Sequence, residues 1–247
     1  MPIRTRWPST DARIDSTAQT DETTLGNRVW LILGATALVL VVTSALITGY
    51  VATIGEPGLE PPPGVIYGAV GIGLSAALAL LWRRFDEPER LAAFPLQRPS
   101  RAELGWTAVC VPLGIGAFLV GEWVAGLFGF ELTPFYTYDL GDPATLAGVA
   151  FGVVLVAPLV EELLFRGALV GALLGRGWSL LTASAGSIVV FAGYHVFALG
   201  VAGVAAIAAW SVFPTVLRLR FDNLTGAWLL HLCNNIFAYV IVTAVLV

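Results

Sequence analysis

"APLVEELLFRGALVG", residues 157–171, places Glu161, Glu162 and Arg166 inside one of the longest apolar runs of the chain. Ionisable side chains are costly in hydrocarbon and normally face a bundle interior or a wet cavity. The stretch therefore implies a membrane helix bundle with something polar at its centre. Composition agrees. Of 247 residues, 57% are hydrophobic and 12% charged, where a soluble domain carries about 25% charged residues. The expected fold is an all-α polytopic membrane protein of about seven transmembrane helices, with the active site in its four-helix C-terminal half.

Working outward, a span needs about 20 mostly apolar residues, and candidate spans lie near 29–53, 64–82, 105–130, 145–174, 179–198, 200–217 and 224–247. The first run starts too late and is too long for a cleaved signal peptide. Residues 1–27 read as a polar, loosely attached tail. Residues 28–144 hold three helices and the charged loop 83–104, "RRFDEPERLAAFPLQRPSRAEL", and residues 145–247 form the core. All 13 basic residues are Arg. They fall before the first helix and in alternate loops, whereas Glu56, Glu60, Glu131, Asp139 and Asp142 occupy loops without Arg. The positive-inside rule then puts the N-terminus in the cytoplasm and the C-terminus outside, in a multi-pass protein of the cell membrane. It also puts the sequon Asn223-Leu224-Thr225 on the cytoplasmic side. The net charge of −4 and the lack of a basic tract give no reason to expect a nucleic-acid partner. Cys110 and Cys233 both fall in apolar runs and read as small core residues.

The ionisable and amide groups inside the spans are Glu122, Glu161, Glu162, Arg166, His195, His231, Asn234 and Asn235, and all but Glu122 lie in the last four helices. Adjacent helical residues diverge by about 100°, so Glu161 and Glu162 point to different places. Glu162 and Arg166, four apart with the acid first, make a same-face ion pair. Glu161 is left without a local partner and is available as a base. Pro158 has no N–H and frees the carbonyl of Val154, a place for a kink and for water. His231 and Asn235 share one face of the last helix. Glu122 reads as a cap on the same cavity or a partner for Arg166.

Glu161-Glu162 with Arg166, then Phe191 and His195, then His231 and Asn235, resemble the EExxxR, FxxxH and HxxxN signature of the CAAX-processing endopeptidase and bacteriocin-processing family, known as CPBP. These intramembrane proteases are also named after abortive-infection proteins. The FRG that follows the glutamates fits too, and the likeness covers about residues 145–247. The resemblance implies that Glu161 activates water with help from His195, and that His231 and Asn235 hold the oxyanion. Glu162 and Arg166 would support them. It also leaves a second chemistry open. Glu161, His195 and His231 would suit a catalytic zinc ion with an open position for water, Glu162 then serving as base. The Asn at i+4 serves an oxyanion better than it serves zinc, which favours a metal-free glutamate mechanism.

The expected function is hydrolysis of a peptide bond in a membrane-embedded or lipidated, CAAX-like substrate, with the lipid bilayer as the other partner. A proton-coupled transporter and a catalytically inactive immunity or scaffold protein are the alternatives, because Glu and His chains also relay protons. One expectation strains the picture. His195 lies about 25 Å along its helix counted from Trp178, and His231 only about 12 Å along the last helix. Their meeting requires "GWSLLTA" to lie at or beyond the cytoplasmic surface, which Gly175, Gly177 and Trp178 favour as an interfacial segment, or a steep tilt.

Overall fold

A computed structural model describes residues 24–55, 60–133, 138–139 and 141–246; most of the polar tail, residues 1–23, and Glu56 lie outside them. The protein is an all-α polytopic membrane protein, with no strand among the described residues. Its helices are α1 Val29–Thr53, α2 Pro63–Arg84, α3 Glu87–Ala93, α4 Arg101–Leu127, α5 Pro143–Gly175, α6 Leu180–Tyr194, α7 Val196–Phe221 and α8 Thr225–Val245. Six are long and apolar enough to cross a membrane, and α6 is shorter. The fifth expected span is therefore a helix of 15 residues, about 22 Å of rise. Ser179 caps its start by accepting from the Thr182 N–H. The chain turns at His195 and runs directly into α7, with a break at Gly200, whose φ of 68° suits glycine.

Helix α5 is the central element, packed by α1, α2, α6, α7 and α8. It meets α2 at unusually close range. A side chain at Gly152 would collide with the Tyr67 carbonyl, and one at Gly148 with the Gly64 carbonyl. Small residues at such crossings let backbones approach, which is how helices associate where lipid removes the hydrophobic drive. Gly121 brings α4 against the backbone of Ala205 and Ala206 on α7 in the same way.

The 83–104 loop contains a helix that the sequence reading leaves out. Asp86 and Glu89 form a reciprocal capping box at the start of α3, with Pro88 in its first turn. Glu89 also takes Arg28 in a 2.6 Å ion pair. This short element packs under α5, where a Cβ on Gly167 would collide with the Ala93 carbonyl. The chain is packed from its first described residues: Leu25 is fully buried and the Arg176 side chain donates to the Gly26 carbonyl. Cys110 is buried as expected, but Cys233 is exposed, because it lies on the outward face of α8 between His231 and Asn235.

Candidate active site

Two stretches of α5, Ala150–Val156 and Glu162–Leu169, are wound as π-turns. In the first, the Ala157 N–H bonds the Gly152 carbonyl five residues back. Continued by one residue, that register calls for residue 158 to donate to Val153, and Pro158 has no N–H to give. The Asn235 amide supplies the missing donor, its Nδ2 reaching the Val153 carbonyl at 2.7 Å. The freed carbonyl is thus Val153 rather than Val154, shifted by the wider turn, and it is met by α8 rather than by a kink.

Glu162 and Arg166 pair as the spacing predicts, with Nη1 to Oε1 at 3.2 Å and both side chains 1% exposed. The same Oε1 accepts from the His231 Nδ1 at 2.8 Å. His231 Nε2 then faces Glu161 Oε2 at 3.6 Å. The two carboxylates diverge along the helix yet reach one imidazole, because its two nitrogens lie on opposite edges of the ring. With Glu162 and Arg166 cancelling, one proton distributed between Glu161 and His231 makes the cluster neutral. That matters where an uncompensated charge costs several kcal/mol.

Arg166 is held by more than Glu162. Its guanidinium lies 4.1 Å from the Phe191 ring centre and 5.8 Å from that of Trp210. Its Nε and Nη2 have no hydrogen-bond partner among the described residues, and these ring faces offer cation–π attraction in place of one. Trp210 also packs on His231, ring centres 4.8 Å apart. Sequence reasoning missed this residue; a lone Trp amid the small residues of "AAIAAWSVF" was the available signal. Glu122 meets neither expectation. Arg166 takes Glu162 instead, and Glu122 lines a groove of about 570 Å³ with Trp123, Phe130 and Glu131.

His195 joins the cluster through Phe191, whose ring lies 4.7 Å from the His195 ring and 6.2 Å from that of His231. The His195 Nδ1 donates to the Phe191 carbonyl at 2.8 Å. A carbonyl can only accept, so Nδ1 carries the hydrogen and Nε2 keeps its lone pair. His195 and Tyr194 are only half-buried, whereas Glu161, His231 and Asn235 are buried. The His195 side is thus the less enclosed side of the cluster.

The depth mismatch resolves through an offset between helices. Leu224, just before α8, lies against Gly167, eight residues or about 12 Å short of the end of α5. Helix α8 therefore starts well inside the level at which α5 ends and α6 begins. A histidine about 22 Å along α6 and one about 9 Å along α8 then fall at similar depth.

Chemically, the cluster brings together a carboxylate, two imidazoles and an amide, with His195 on its less buried side. Among the described residues no three His, Cys, Asp or Glu side chains stand close enough together to hold a metal ion. Glu161, His195 and His231 thus do not make a zinc shell in this arrangement. No curated protein and no solved structure matches the chain. Residues 143–237, the stretch holding all six predicted site residues, match the family model described as type II CAAX prenyl endopeptidase Rce1-like, and that similarity agrees with the resemblance carried by the three motifs.

Proposed function

We propose that the protein is an intramembrane endopeptidase that cleaves a peptide bond in a membrane-embedded or lipidated, CAAX-like substrate. The Rce1-like match supports a CAAX-type protease in general. The observation that carries the finer reading is the buried chain Arg166–Glu162–His231–Glu161. In this reading Glu161 takes a proton from water on the His195 side, and the free Nε2 of His195 orients that water. The hydroxide attacks the scissile carbonyl. Charge developing on its oxygen is met by His231 Nε2–H and by the second N–H of Asn235, both held in place beforehand. Glu162 fixes the His231 ring by accepting from Nδ1, and Arg166 balances Glu162. The proton on Glu161 then passes to the leaving amine. Arginine placement supports an N-terminus in the cytoplasm, and the reading puts the scissile bond near the cytoplasmic side of the bilayer.

The test is cleavage of a farnesylated, membrane-anchored peptide by purified protein in liposomes. Glu161→Ala, folded as judged by its melting profile, is expected to lose at least about 10²-fold in rate. Normal cleavage by that variant refutes the reading. Flux of a solute across the liposomes with no cleavage by the wild type favours a transporter instead.

A further inference from the structure

The start of α8 is held by a set of bonds in which Glu103 of α4 is the centre. Glu103 is 2% exposed. Its Oε1 accepts from the Gly226 N–H at 2.7 Å and its Oε2 from the Asn223 Nδ2 at 3.0 Å. Asn223 in turn accepts from the Gln97 and Thr225 N–H groups and donates to the Gln97 carbonyl. The Thr225 hydroxyl donates to the same carbonyl, and Leu224 N–H to that of Pro95. A helix N-terminus leaves its first N–H groups unpaired and favours negative charge nearby. Here a carboxylate from another helix satisfies both demands. The brace is placed to act at a distance: His231 lies five residues beyond Gly226, and Asn235 nine. It fixes how far α8 slides and how it rotates.

We infer that Glu103, with Asn223, is a positioning residue that sets the register of α8 and so the aim of His231 and Asn235 at the reacting carbonyl. This rests on the roles proposed above for those two side chains. In Glu103→Gln one carboxylate oxygen becomes an NH2 that faces an N–H donor. The helix then loses a fixed end while its packing on α4, α5 and α7 remains. An accompanying Asn223→Asp change returns an acceptor opposite the new amide but loses the donation to the Gln97 carbonyl, so it restores the brace only in part.

The experiment uses the full chain in liposomes with the farnesylated, membrane-anchored peptide. Glu103→Gln is expected to lower kcat about ten- to a hundredfold, the scale of a small misplacement of catalytic groups, with KM within about twofold. Glu103→Gln with Asn223→Asp is expected to recover about half of that loss on a logarithmic scale. A second readout does not depend on turnover. Cys233 is exposed on α8 while Cys110 is buried, so the rate of thiol labelling reports the orientation of α8. Glu103→Gln should change it by about twofold or more. The inference is overturned if labelling of Cys233 and kcat both stay at wild-type values. It is equally overturned if kcat falls only as far as the folded fraction does. Should the wild type fail to cleave the peptide, the labelling of Cys233 in the single and double variants still decides whether Glu103 sets α8.

Discussion

Replacing Pro158 by Ala separates stability from catalysis. Proline in a helix interior is about 3 kcal/mol less favourable than alanine, but the π-turn at 150–156 already relieves part of that conflict. Pro158 is buried, and losing two of its ring methylenes costs about 1.6 kcal/mol at about 0.8 kcal/mol each. The new N–H of residue 158 bonds the Val153 carbonyl and displaces Asn235, an exchange of one bond of about 1 kcal/mol for another. These contributions leave stability within about 1 kcal/mol of wild type. Catalysis is a different matter. Asn235 Nδ2 loses its 2.7 Å anchor, and its amide turns freely just where it must be fixed. Complete loss of an oxyanion donor costs about 10²–10³ in kcat, so loosening one should cost about tenfold. The assay is kcat on the membrane-anchored peptide, with melting in detergent alongside, for Pro158→Ala, Asn235→Ala and the double variant. If Pro158 acts through Asn235, the double variant is no slower than Asn235→Ala alone. Losses that multiply, or a Pro158→Ala enzyme at wild-type speed, refute the reasoning.

Three further outcomes are expected. Gly152→Ala should destabilise the protein by about 1–3 kcal/mol through overpacking, since its Cβ meets the Tyr67 carbonyl; Gly68→Ala, with nothing within 4 Å, serves as control and should leave detergent melting unchanged. Arg166→Ala should cost about 3–5 kcal/mol by stranding the buried Glu162, read as a lower denaturation midpoint, and a fully folded variant contradicts that. Purified protein should cleave its peptide undiminished after dialysis against a chelator and should carry well under one equivalent of metal by elemental analysis; parallel loss of zinc and activity would instead support the zinc chemistry.

What the sequence made legible, and what it hid, follows from the range of the interactions. The helices were readable because a span of apolar residues is a local signal, and so was the Glu162–Arg166 pair, set by spacing of four. Even α3 had its mark in Asp86, Pro88 and Glu89, overlooked among the surrounding charges. Contacts between distant segments left no such mark. Glu162 reaches His231 across 69 positions, and Glu103 reaches Gly226 across 123. Nothing in the periodicity of either helix announces its partner. Between these extremes sits Pro158, whose missing N–H is plain in the sequence but whose consequence depends on winding. In an α-turn the orphaned carbonyl is Val154; in the observed π-turn it is Val153, and one residue of difference turns that oxygen to α8. The polar residues of α5 and α8 are thus coupled twice, by Glu162 on His231 and by Val153 on Asn235. The couplings lie four residues apart on α8, about 6 Å of rise. These two contacts tie the imidazole and the amide to the same helix, α5, while the Glu103 brace holds the start of α8, so the two groups cannot be re-aimed independently.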